Sequence, residues 1–180
     1  MFDPTAFDNM KVVLEGALYD LDILGEIIIT DRNDLINTAK MQRSFDLCFK
    51  LAESKESTVS AKIQLESKLD NLAAELFPSS LSKNLAGCNI SLQFVVPHAE
   101  KIEDFHAIES LLVEIWGSMR KISQCNQYNP LAANKIITNV IIIEFDRLIT
   151  EEQMDDLIEM TDFMITTIKR IEHYLNKTSE

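Results

Sequence analysis

The long apolar stripe near the end of the chain constrains the fold more than any other segment. Residues 150–175 have helical spacing, and Thr150 with Gln153 forms the pattern of a capping box at the start. The stripe is wider than the face that one neighbouring layer covers, so we expect more than one partner against it. Its apolar members are Met154, Leu157, Ile158, Met160, Phe163, Met164, Ile165, Ile168, Ile171, Tyr174 and Leu175.

Charge is sorted by sign along this helix, with acids in the first half and bases near the end. Two such helices in antiparallel, two-fold contact would bring opposite charges together, which favours a homodimer. The alternative is that a neighbouring helix at 100–116 covers the extra apolar surface. The residues expected at the homodimer interface are Met160, Phe163, Met164, Lys169 and Arg170.

Apolar residues alternate with polar ones through the middle of the chain, which predicts half-buried strands. A hairpin is expected from 45–51 and 59–65 around a polar turn at 53–57. Helical spacing returns at 69–76 and 100–116, and the position of Gly117 is typical of a helix end. Further strands are predicted at 90–96, ended by Pro97, and at 135–145. Loops are predicted at 78–87 and 118–134.

Residues 10–24 fit two structures. Met10, Leu14 and Leu18 match a helical stripe, and Gly25 would end the helix. Gly16 weakens a helix interior, however, and residues 11–21 are rich in Val, Leu and Tyr. The sequence therefore favours a hairpin that returns through 26–30, with the helix as the alternative.

Together these elements predict an α+β fold. Two hairpins are followed by strand–helix alternations, so we expect a mainly antiparallel sheet of five to six strands. Helices would pack on one face, and a long C-terminal helix would complete the core. Residues 1–180 are long and apolar enough to form a single α+β domain.

Composition excludes several classes of partner. The net charge is −12, and no basic patch with interleaved aromatic residues occurs, so we expect binding to neither nucleic acid nor a membrane. The three cysteines are an odd number without metal-ligand spacing, which is typical of reduced thiols. The first residues lack the architecture of a signal peptide. These features predict a cytoplasmic protein.

Motifs for catalysis are missing from the sequence. No Gly-x-Ser-x-Gly elbow occurs, and the four glycines are too dispersed to form a phosphate-binding loop. We therefore predict no cofactor, no metal site and no catalytic residues.

One segment groups histidine and carboxylate residues that suit a polar ligand. Glu103 and His106 lie three residues apart on the 100–116 helix, and His98 precedes them. Imidazole and carboxylate groups bind several divalent metals and many polar ligands. His98, Glu103 and His106 are therefore the candidate ligand-binding residues.

The expected function follows from the wide closing helix and the missing catalytic residues. We expect a small acidic protein that acts as a non-catalytic interaction or regulatory module and self-associates, with another protein as a further partner. The alternative is a small-molecule-binding domain, or a modest metal-dependent enzyme, that uses His98, Glu103 and His106.

Overall fold

The computed structural model describes residues 5–53, 59–77, 85–99, 101–131 and 136–178. These residues form one antiparallel sheet of six strands and four helices, which confirms the predicted α+β fold. In chain order the elements are α1 (Ala6–Ile23), β1 (Ile27–Asn37), β2 (Gln42–Leu51), β3 (Ser60–Ser67), α2 (Leu69–Leu76), β4 (Asn89–Ala99), α3 (Ile102–Trp116), β5 (Lys121–Gln127), β6 (Ile136–Glu144) and α4 (Met154–Thr178).

The strands lie in the order β1-β2-β3-β4-β6-β5, and each pairs antiparallel with its neighbours. The predicted hairpin is confirmed as β2 and β3. One row of side chains crosses four strands through Leu47, Ile63, Leu92 and Ile143, and all four are fully buried. Because successive side chains alternate, this row defines the apolar inner face of the sheet. The predicted turn at 53–57 and loop at 78–87 lie largely outside the described residues.

Three helices cover the inner face. Helix α4 contacts β2 and β3 and is flanked by α1 on one side and α3 on the other. Their buried side chains join those of the strands in one hydrophobic cluster. That residues 1–180 form a single domain stays a prediction.

The closing helix is confirmed. A short 3-10 turn, Glu151–Gln153, leads into α4, and the Gln153 Oε1 accepts from the Thr150 N–H at 3.3 Å, as in the predicted capping box. The buried face contains most of the predicted stripe, but Ile158 and Phe163 are 44% and 46% exposed. Its buried members are Leu157, Met160, Thr161, Met164, Ile165, Thr167, Ile168, Ile171 and Leu175.

The favoured hairpin within residues 11–30 is wrong, because Ala6–Ile23 forms helix α1. Thr5 caps this helix by accepting from the Asp8 N–H. A Cβ added at Gly16 would meet nothing within 4 Å, so this glycine costs helix propensity without disturbing packing. Gly25, with φ 76°, lies just after the helix end. The decisive signal is the stripe of buried residues Phe7, Met10, Leu14 and Leu18.

Strand β4 does not end before Pro97. It continues to Ala99, and Pro97 lies opposite Thr138 of β6. On its other side the pairing with β3 stops where Val95 faces Ser60. Beyond that point β4 has one described neighbour, and a half-open strand tolerates a residue without an N–H.

The predicted loop at 118–134 is also wrong in part, since Lys121–Gln127 forms strand β5. This strand lies at the edge of the sheet and pairs with β6. Most of its side chains are exposed, so it lacks the apolar alternation of a buried strand.

Candidate functional site

A cavity of about 300 Å³ lies where the end of α3 meets the end of β6 and the first turns of α4. Such a volume is at the small end of the range for ligand-binding pockets. The cavity combines aromatic, arginine and carboxylate side chains. It is lined by Ile115, Trp116, Arg120, Phe145, Arg147, Asp156, Glu159, Met160 and Phe163.

Three aromatic rings form its apolar wall. The Trp116 ring centre lies 6.2 Å from that of Phe145, edge to face, and 5.7 Å from that of Phe163. The Trp116 Nε1–H donates to the Thr167 Oγ1 at 3.1 Å, and Thr167 is fully buried within α4. This hydrogen bond joins α3 to α4 and fixes the indole plane, so the wall is largely preformed.

Arg120 stands over this wall, with its guanidinium carbon 4.8 Å from the Phe145 ring centre. Among the described residues no carboxylate lies within 4.0 Å of Arg120, although the other four arginines of the chain each pair with one. Those pairs are Arg32–Glu15, Arg43–Asp8, Arg147–Asp156 and Arg170–Glu114. Arg120 is half-buried, and its guanidinium lies over an aromatic ring. It is therefore the best-placed anion-binding group in this cavity.

Two carboxylates, Asp156 and Glu159, also line the cavity. The Asp156 carboxylate accepts from the Arg147 Nη2–H at 3.2 Å, and both side chains are nearly half exposed. An ion pair this exposed is worth little to stability and can rearrange at small cost. The Glu159 side chain is exposed. The cavity thus combines two positive and two negative groups with an aromatic wall.

None of the described lining residues is a His, Cys, Ser or Lys. The lining combines shape, apolar surface and charge, and this combination can bind a small ligand.

The three predicted ligand-binding residues lie in different environments. His98 is buried on β4, whereas Glu103 and His106 are exposed on α3. The partner that the structure places near His98 is Asp104, at 3.9 Å between Nδ1 and Oδ2. A ligand-binding role for His98, Glu103 and His106 stays a prediction.

Asp104 also ties α3 to α4. Its Oδ1 accepts from the Tyr174 hydroxyl at 2.9 Å, and this hydrogen bond, aided by desolvation, raises the pKa of Tyr174. The Phe105 ring lies 5.0 Å from that of His98. Gln124 extends this region by donating to the Phe105 carbonyl at 3.1 Å and accepting from the fully buried Asn139 at 2.8 Å. These contacts join strands β4, β5 and β6 to helices α3 and α4.

The expected interface residues on α4 are only partly accessible. Met160 and Met164 are buried within the chain, and Phe163 is 46% exposed beside Trp116. Lys169 is exposed, but the Arg170 guanidinium donates to the Glu114 carboxylate of α3 at 2.7 Å. Helix α3 thus contacts this part of α4 through Trp116 and Glu114. The α4–α4 interface stays a prediction.

Asp31, Asp46 and Cys48 bring three possible metal-ligand atoms within 4.8 Å of one another on the outer face of the sheet. The Asn33 side-chain amide donates to both carboxylates, at 2.9 and 3.0 Å. Burial, with a further contribution from both carboxylates, raises the pKa of the Cys48 thiol. The carboxylates already have a donor and the thiol is not activated, so we assign no metal to this cluster.

The contact between Arg120 and Phe145 escapes prediction because the 118–134 segment, which contains Arg120, resembles a loop. The antiparallel pairing of β5 with β6 brings the start of one strand beside the end of the other, with Lys121 opposite Glu144. The available signal is this pair of opposite charges, which only a correct strand assignment makes meaningful.

Comparison with protein-family models, curated proteins and solved structures found no match to this chain. No helix within the described residues is long and apolar enough to cross a membrane.

Proposed function

We propose that the protein is a non-catalytic binding protein for a small organic anion with a flat apolar body, held in the cavity between α3, β6 and α4. The observation that supports this most directly is Arg120. It is the arginine without a carboxylate partner among the described residues, and it lies half-buried at an aromatic wall. A carboxylate suits a guanidinium best, because both are planar and can share two hydrogen bonds.

The apolar body of the ligand belongs against Trp116, Phe145 and Phe163. Aromatic rings gain from edge-to-face and offset contacts beyond the burial of area. The small volume favours one ring with a short side chain. Asp156 and Glu159 would repel a second negative charge, so the proposed ligand is a monocarboxylate.

The test uses 3-phenylpropionate and phenethylamine, two probes with the same ring and opposite charge. Isothermal titration calorimetry of the full chain should show binding of the carboxylate and much weaker binding of the amine. Arg120→Gln should lower the affinity for phenylpropionate at least about tenfold, the equivalent of about 1.4 kcal/mol. Arg170→Gln is the matched control, because Arg170 lies outside the cavity and pairs with Glu114.

Equal binding of both probes, or a normal affinity in Arg120→Gln, would contradict the proposal. Preference for the amine would instead assign the cavity to a cation and make Asp156 and Glu159 the recognition elements.

The expected self-association of α4 has weaker support than this cavity. Of the residues expected at that interface, Met160, Met164 and Arg170 already have partners within the chain, whereas Phe163 and Lys169 are exposed.

A further inference from the structure

Strand β5 ends the sheet on one side, and its outer edge is unpaired among the described residues. Its register against β6 runs from Lys121 to Gln127 without a bulge. It contains no proline, and its single charged residue, Lys121, already pairs with Glu144 at 2.5 Å. A regular edge without these protective features is a template for another strand.

The opposite edge strand, β1, has features that discourage pairing with another strand. A bulge interrupts its register between Ile29 and Asp31. Arg32 pairs with Glu15 and Asp34 pairs with Lys11, so charged side chains tie this strand to α1. Bulges and charges both discourage edge-to-edge pairing. Among the described residues the two edges therefore differ, and β5 is the one without these protective features.

The distribution of acidic residues along the chain also favours the β5 edge for contact with another copy. No Asp or Glu occurs between Glu114 and Glu144, although the net charge of the chain is −12. Arg120, Lys121 and Lys135 fall within this acid-free segment. Two acidic molecules repel each other over most approaches. Residues 115–143 carry no negative charge, so β5 itself does not repel an acidic second copy.

Exposed apolar side chains lie at both ends of β5. Met119, just before the strand, is 84% exposed, and Tyr128 and Leu131, just after it, are 69% and 93% exposed. An antiparallel partner strand brings the beginning of one copy beside the end of the other. Met119 of one copy would then approach Tyr128 and Leu131 of the other and bury part of this surface.

We infer that β5 pairs antiparallel with β5 of a second copy of this chain, about a two-fold axis at Gln124, and so joins the two sheets. In this register Lys121 faces Gln127 of the other copy and Ser123 faces Cys125, so no like charges lie opposite each other. The contact is isologous and closes on itself, which limits assembly to a dimer. Edge pairing buries less area than a large permanent interface, so the dimer is concentration-dependent.

Sedimentation velocity of the full chain over a range of concentrations gives the first test. We expect a shift from monomer to dimer, with no larger species. A monomer at every concentration would overturn the inference.

Disulfide cross-linking tests the register of the two β5 strands. Ser123→Cys places a thiol opposite Cys125 of the other copy, at a separation that a disulfide can span. Mild oxidation should give a covalent dimer on a non-reducing gel. Adding Cys125→Ser to Ser123→Cys should abolish it, and Asn33→Cys on β1 should give none. A dimer in solution that Ser123→Cys does not cross-link would reject this register and this edge.

Charge repulsion supplies a test independent of thiols. The pair Ser123→Lys with Cys125→Lys puts lysines opposite lysines in the dimer, and we expect at least a tenfold weaker association. The matched control is Ser91→Lys with Gln93→Lys, which adds the same charge to the outer face of β4, an interior strand. Circular dichroism verifies folding. Equal loss of dimer in both variants would show a general charge effect and overturn the edge assignment.

Discussion

The Arg120 guanidinium lies 4.8 Å above the Phe145 ring, although one residue precedes β5 and the other follows β6. The antiparallel pairing of these two strands creates the contact. Trp116 approaches the same ring from the end of α3. Strand pairing and helix packing thus converge on one cavity with a cation and an aromatic wall.

Trp116 is the single tryptophan of the chain, so its fluorescence reports directly on this cavity. We expect 3-phenylpropionate to change the emission of the folded protein in a saturable way, because the ligand ring displaces water beside the indole. Phe145→Leu should weaken this response several-fold by removing the ring beneath Arg120. Phe77→Leu, an exposed phenylalanine on another part of the fold, should leave it unchanged. A response that does not saturate would argue against a defined site.

Most of the fold follows from side-chain periodicity. The β2–β3 hairpin, β4, α3 and α4 all have a strong period that one buried face imposes, whereas β6 is predicted by its continuous β-branched run. Helix α1 has such a period too, but Gly16 and the neighbouring β-branched residues obscure it over a short window. Only packing against the sheet and α4 decides between the two structures there.

The cavity could not be predicted in the same way. Strand β5 is polar because it lies at an edge, and a polar edge strand resembles a loop in sequence. Without β5, nothing places Arg120 near Phe145. The cavity depends on the pairing of segments that are distant in sequence and share no motif. Glu103 and His106, by contrast, are recognisable as candidates because they lie three residues apart on one helix.

Gly87 should resist substitution far more than Gly16. A Cβ at Gly87 would lie 2.5 Å from the Ile149 carbonyl oxygen, next to the paired hydrogen bonds between Cys88 and Ile149 at 2.9 Å. We expect Gly87→Ala to lower the free energy of unfolding by about 1–3 kcal/mol, since backbone must move. Gly16→Ala, in open space within α1, should raise it by about 0.5–1 kcal/mol. Urea unfolding measures both, and a neutral Gly87→Ala would show that this approach relaxes freely.

Asp8 should make the stability depend on acid pH. The hydrogen bonds from Arg43, at 2.6 and 3.0 Å, lower the pKa of Asp8 from 3.8 to about 2. A depressed folded-state pKa gives stability that is present above the unfolded value and lost as pH falls through the folded value. This contribution should therefore disappear between about pH 4 and pH 2.

The test compares Asp8→Asn with Asp20→Asn, an exposed position on the same helix. Because the pair is partly exposed, we expect Asp8→Asn to cost about 1 kcal/mol or less at neutral pH. The difference from the natural chain should shrink on acidification, as urea unfolding at a series of pH values would show. A difference that stays constant down to pH 2 would mean that the Arg43 contact does not control this titration.

The three cysteines should react in the order of their burial. Cys125 is exposed on β5, Cys48 is half-buried, and Cys88 is fully buried, where desolvation raises the pKa of its thiol to about 12. The thiolate is the reactive form, so at pH 8 a maleimide should label Cys125 first and Cys88 last, with labelling rates that differ at least tenfold.

Mass spectrometry of the labelled peptides follows each cysteine. The control is urea-unfolded protein, in which all three thiols should react at the same rate. If association through β5 occurs, raising the protein concentration should slow the labelling of Cys125 and leave that of Cys48 unchanged. Fast labelling of Cys88 in the folded chain would instead show that the bridge between Cys88 and Ile149 opens readily.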